Sequence, residues 1–141
     1  MKNLVVDTCV VVKWFLPEVD SDRALMLRES FQAGAINLLA PDLLLIEFAN
    51  VLWKQRQALD LEEAESILVE LRTWDLELIA SDKLLDDALR LAYEHQRTVY
   101  DALYLALAQR EGCDLITADE RLYNAVKNQL PWVKGLHNLP L

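Results

Sequence analysis

The 141-residue sequence predicts an α/β fold in three layers, with helices on both faces of a central parallel sheet of four to five strands. Short β-prone runs alternate with helical segments along the chain, and the loops between them are short. The first four elements run strand, helix, helix, strand, the order of a parallel crossover. The length suits one compact domain, so residues 1–141 are expected to form a single unit.

Asn3 to Val6 reads as the first strand, and Thr8 to Leu16 as a helix that Pro17 ends. Ser21 to Ala33 is a second helix stopped by Gly34, and Asn37 to Ala40 a second strand before Pro41. Asp42 to Gln57 is helical, with apolar residues around most of its circumference, which implies burial on more than one side. Leu61 to Trp74 is an amphipathic helix, followed by a strand at Leu76 to Ile79 and a helix from Asp82 to Gln96. Thr98 to Glu111 opens on Thr98-Val99-Tyr100-Asp101, the pattern of a capping box, and closes at Gly112. Asp114 to Thr117 is a strand. Thr117 to Glu120 reads as a second capping box for a helix reaching about Lys127, and Trp132 to Lys134 as a last edge strand.

The formal net charge of -9 sets a long-range field that repels polyanions. A nucleic-acid ligand then requires local basic groups or bound cations, and carboxylates gathered around a divalent ion would themselves supply part of that negative count. Cys9 and Cys113 are too few for a disulfide framework and lack the paired spacing of a zinc site, so both are expected to be buried, reduced thiols. The N-terminus reaches Asp7 too soon to hold a signal-peptide core, and no apolar run is long enough to span a membrane. The expected location is the cytoplasm. GxxxxGK[ST], GxSxG and HExxH are all missing, which leaves phosphate-loop, hydrolase-elbow and zinc-protease readings without local support.

In an open parallel sheet ligands collect beyond the carboxyl ends of the strands. Asp7 follows the first strand directly and Asp119 follows the strand at Asp114 to Thr117, so both should stand at that edge. Either alone is equally explained as a helix N-terminal acid, and Asp101 as the acid of its capping box. Glu47 differs, because it interrupts Leu43-Leu44-Leu45-Ile46-Glu47-Phe48-Ala49, where an ionised group needs compensation. Asn50, one turn on, is placed to hydrogen-bond it. If the four acids converge, their hard oxygens select Mg2+ or Mn2+. His95 and His137 read as surface or packing residues, and Trp14, Phe15, Trp53 and Trp74 as core or dimer contacts. Lys13, Arg97 and Arg121 are the basic residues nearest the acids in sequence and are candidates to hold phosphates.

Four segments carry a resemblance: Leu4-Val5-Val6-Asp7-Thr8 with Lys13-Trp14-Phe15-Leu16-Pro17-Glu18, then Ile46-Glu47-Phe48-Ala49-Asn50, Tyr100-Asp101-Ala102-Leu103-Tyr104, and Leu115-Ile116-Thr117-Ala118-Asp119. In this order and at these separations the chain resembles a PIN domain, and within that superfamily the VapC toxins of toxin–antitoxin pairs. The resemblance implies a PIN-like fold and an Mg2+-dependent endoribonuclease, usually a homodimer, inhibited by a cognate VapB-like antitoxin. It implies Asp7, Glu47, Asp101 and Asp119 as the acidic centre, with Asp7 and Asp101 foremost as metal ligands. Thr117 matches a hydroxyl position beside the site, and Thr8 and Asn50 are supporting residues. Two other readings stand beside it: a PIN-like scaffold that binds RNA or protein without cutting, and a receiver-like signalling module sharing the doubly wound sheet.

Overall fold

The computed structural model describes residues 1–139. Five strands form one parallel sheet in the order β3-β2-β1-β4-β5: β1 (Lys2–Val6), β2 (Ile36–Pro41), β3 (Glu77–Ile79), β4 (Asp114–Thr117) and β5 (Val133–Gly135). The chain starts in the middle, builds outward through β2 and β3, then returns to the other side of β1 for β4 and β5. The strand order therefore reverses between β1 and β4, and a crevice opens at their carboxyl ends. Val5 and Val6 of β1, Leu38 to Ala40 of β2 and Leu115 and Ile116 of β4 are all buried, as expected for a sheet covered on both faces.

Among the described residues seven α-helices flank the sheet or one another: α1 (Thr8–Val12), α2 (Ser21–Gln32), α3 (Leu43–Lys54), α4 (Leu61–Thr73), α5 (Leu85–His95), α6 (Val99–Glu111) and α7 (Glu120–Val126). The first helix is shorter than its sequence suggests. After Val12 the chain tightens into i→i+3 bonds, with Lys13, Trp14 and Phe15 amides donating to Val10, Val11 and Val12 carbonyls, and it unwinds ahead of Pro17. The α3 helix likewise stops at Lys54 rather than Gln57, and the expected helix from Asp82 begins as a 3-10 turn, Ser81–Leu84, before α5. Gly112 closes α6 at φ 62, a backbone conformation that suits glycine.

The helix buried on several sides is α6, not α3. Seven consecutive residues, Ala102 to Ala108, are buried in α6, whose three alanines let it approach the sheet and α5 closely. On α3, Leu44, Phe48 and Leu52 face the core while Ile46 is 70% exposed and Trp53 57% exposed. The apolar run thus reports composition, not enclosure. Trp14 is buried, lies tilted against Trp74 with ring centroids 5.9 Å apart, and donates its indole N–H to the Ala24 carbonyl at 2.9 Å. Phe15 packs edge-on to Phe48. Among the described residues no helix is long and apolar enough to cross a membrane.

Candidate metal and active site

Asp7 leaves the carboxyl end of β1 and caps α1 in extended backbone geometry, its Oδ1 accepting from the Val10 amide at 3.3 Å. The Cys9 thiol donates to the same Oδ1 at 2.6 Å, and the Thr117 hydroxyl donates to Oδ2. The side chain is 6% exposed. Burial pushes its pKa from 3.8 up to about 6, against the pull of the Cys9, Thr117 and Val10 donors, and the nearby charge of Asp119 raises it further.

Thr117 ends β4, and its hydroxyl also accepts the Asp119 amide at 3.0 Å. The expected capping box at Thr117 to Glu120 is therefore not formed. Asp119 is the cap of α7, with Oδ1 accepting from the Arg121 and Leu122 amides at 2.9 and 3.2 Å. Thr117 instead ties Asp119 to Asp7 across the β1–β4 crevice, a role open to a hydroxyl that donates once and accepts once.

Asp101 sits in the first turn of α6, whose cap Thr98 accepts the Asp101 amide at 3.1 Å. The return bond that would complete a capping box, from the Thr98 amide to the Asp101 carboxylate, is not made. Its carboxyl pKa is raised by burial first and then by the charge of Asp119, with Arg97 lowering it and Glu47 raising it. Arg97 thus acts on Asp101 as a neighbouring cation without lining the cavity that Asp101 faces.

Glu47 lies mid-helix in α3, where the backbone amides are already committed to the helix. Two hydroxyls, not the expected Asn50 amide, take their place: Thr8 donates to Glu47 Oε1 at 2.9 Å and Tyr104 donates to the same oxygen at 2.6 Å. The two hydroxyl oxygens are 2.8 Å apart.

One cavity of about 510 Å³ brings these acids together, lined by Asp7, Glu47, Asp101 and Asp119 along with Thr8 and Asn50. Thr117 stands behind Asp7, not on the cavity wall. Four further polar lining residues escaped sequence reasoning, among them Glu18, a fifth carboxylate on the wall. Lys54 follows Glu47 at i+7 and Asn50 at i+4 on one face of α3, a spacing that would have found it. Cys9 lines the cavity and is only partly buried, as is Cys113, so neither thiol is fully enclosed as expected. Tyr104 is one turn past Asp101, within a helix whose unbroken apolar run hides a polar function. Lys13 also lines the cavity, whereas Arg121, His95 and His137 do not. His95 pairs with Gln129, and His137 packs edge-on to Tyr123.

The donors are carboxylate oxygens, with an amide from Asn50 and hydroxyls behind them, a set suited to a hard divalent cation. Among the described residues no three His, Cys, Asp or Glu side chains are gathered tightly enough to enclose an ion as they stand. Repulsion between like charges contributes to the raised pKa values of Asp7 and Asp101.

The PIN domain family matches residues 4–128. Ribonuclease VapC3 of Pyrobaculum aerophilum is 39% identical over 126 residues, which covers 85% of this chain and 92% of that protein. The fold is shared with the crystal structure of PAE2754 from Pyrobaculum aerophilum, at TM-score 0.64 and 23% identity over 97% of this chain and 92% of the other. A toxin–antitoxin complex from Klebsiella pneumoniae gives TM-score 0.64 at 17% identity over 96% and 99% of the respective chains. With the family match spanning most of the chain and a relative this similar over nearly its whole length, the chain belongs to the PIN domain family, in its VapC branch.

Proposed function

We propose that the chain is a divalent-metal-dependent endoribonuclease that hydrolyses RNA phosphodiester bonds, built as a single PIN domain over residues 1–141, and that it is the toxin of a type II toxin–antitoxin pair. The observation that carries this reading is the lining of one cavity, at the point where strand order reverses, by Asp7, Glu47, Asp101 and Asp119. The relative named as a ribonuclease and the fold neighbour solved as a toxin–antitoxin complex support it.

Asp7 and Asp101 are the inner ligands for Mg2+ or Mn2+, with Glu47 and Asp119 completing the acidic wall and Thr8, Asn50 and Thr117 in support. When bound, the cation supplies Lewis acidity, activating water and stabilising charge on the phosphodiester oxygens. The chain contributes orientation: Thr117, Cys9 and the Val10 amide fix Asp7, and two backbone amides fix Asp119. Asp7, with a pKa near 6, is mostly ionised at neutral pH and so able to bind a cation. Lys13 and Lys54 at the cavity wall hold phosphates of a strand entering an otherwise anionic protein.

A VapB-like antitoxin partner and a homodimer complete the proposal, in the cytoplasm. Exposed apolar residues on two helices, Ile46 and Trp53 on α3 and Leu89 and Tyr93 on α5, offer surface to both. The test is incubation of the purified protein with total cellular RNA and Mg2+ or Mn2+. Cleavage that EDTA abolishes is expected, and Asp7→Ala and Asp101→Ala should slow it by orders of magnitude. If the metal-loaded protein cuts nothing across that pool, a non-cutting binding scaffold replaces this reading; if both variants cut like the wild type, the acids around Asp7 are not the catalytic centre.

A further inference from the structure

The four acids are not held in the same way. Asp7 and Asp119 each accept backbone amides at the start of a helix, and the Asp101 backbone is tied to Thr98. Glu47 has no such option, since mid-helix amides are spent and its side chain has three rotatable bonds. Left alone, its carboxylate would sample several rotamers above the cavity.

The Tyr104 hydroxyl removes that freedom. It donates to Glu47 Oε1 at 2.6 Å, a short bond characteristic of a charge-assisted O–H···O contact, and the Thr8 hydroxyl meets the same oxygen at 2.9 Å. Tyr104 is 3% exposed and rises from the most buried stretch of α6, so its ring is fixed by packing. With Oε1 occupied by two hydroxyls, Oε2 is the oxygen left to engage a cation. Asp101 lies three residues before Tyr104 on the same helix, so α6 carries one acid and fixes the carboxylate of another.

We infer that Tyr104, with Thr8, is a positioning residue of the metal site: it holds Glu47 in a single orientation so that Oε2 alone is presented. The inference rests on the metal-site reading above and adds to it a residue outside the acidic set.

The test is a double-mutant cycle on Mn2+ affinity, measured by calorimetry on the metal-stripped full chain without RNA. Tyr104→Phe removes one hydroxyl and keeps the buried ring. It should weaken Mn2+ binding roughly 10- to 100-fold, the usual effect of losing a group that orients a ligand. In a Glu47→Gln background the same substitution should cost less than about twofold, because its effect passes through Glu47. A purely structural tyrosine would weaken binding equally in both backgrounds, and that result would overturn the inference. So would wild-type affinity in Tyr104→Phe while Glu47→Gln is impaired, which leaves the metal-site reading intact. Absence of Mn2+ binding by the wild type would overturn both. If Tyr104→Phe does not fold, Thr8→Val runs the same cycle on the other hydroxyl, and unchanged affinity there refutes the pair.

Discussion

Asp7→Asn tests the electrostatics of the site without RNA. A carboxyl whose pKa rises from 3.8 to about 6 on folding is destabilised in its ionised form, so the folded chain binds the proton more tightly than the unfolded one. The sign follows: between about pH 4 and pH 6 wild-type stability falls as pH rises, and above pH 6 the full penalty remains. A shift of about two pH units corresponds to roughly 3 kcal/mol. Asparagine removes that penalty but turns an NH2 toward one of the donors that Asp7 now accepts from, Cys9 or Thr117, at a cost of about 1 kcal/mol. Metal-free Asp7→Asn should therefore be more stable than wild type by about 1 to 2 kcal/mol at pH 7.5, with the difference shrinking toward pH 4. Urea unfolding of both proteins in EDTA from pH 4.5 to 8 measures it. A variant less stable than wild type at pH 7.5, with a gap that does not depend on pH, would refute the claim that burial frustrates this carboxylate.

Protons and cation compete for Asp7, so the apparent Mn2+ affinity should fall by up to about tenfold per pH unit below pH 6 and level off above pH 7; a flat profile by calorimetry would count against Asp7 as a ligand. Lys13→Ala and Lys54→Ala should each weaken RNA binding and lower the salt slope by about one, with little effect on the rate at saturating RNA. Fluorescence anisotropy across salt concentrations, run beside the cleavage assay, separates this from a loss of chemistry. The mass in solution by light scattering should be twice the 16.2 kDa of one chain at concentrations of tens of micromolar, on the order of ordinary assays; a monomer would remove the dimer from the account and leave the chemistry untouched.

Much of this architecture was legible because strand ends and helix starts are local signals. β-Prone runs before Asp7 and Asp119 place those acids at the sheet edge, and the break that Glu47 makes in an apolar run marks it as needing a partner. Tertiary arrangement is what sequence spacing could not convey. Thr117 resembles a helix cap because Glu120 follows at the right interval, yet its hydroxyl accepts the Asp119 amide and donates across the crevice to Asp7, and Asp119 caps the helix instead. Tyr104 was hidden among Ala102 to Ala108, since its partner Glu47 is 57 residues away. The apolar run of α3 suggested enclosure, whereas enclosure depends on what packs against a helix, and the chain places α6 at the centre instead.

Anomalous diffraction from crystals soaked in Mn2+, recorded on wild type and Asp101→Asn, shows whether the acids around Asp7 hold a divalent cation. An anomalous peak is expected in the cavity lined by Asp7, Glu47, Asp101 and Asp119, with carboxylate oxygens of Asp7 and Asp101 at bonding distance, and it should be lost or sharply weakened in the variant. A wild-type cavity without a peak at saturating Mn2+, or a peak undiminished in Asp101→Asn, would contradict the account.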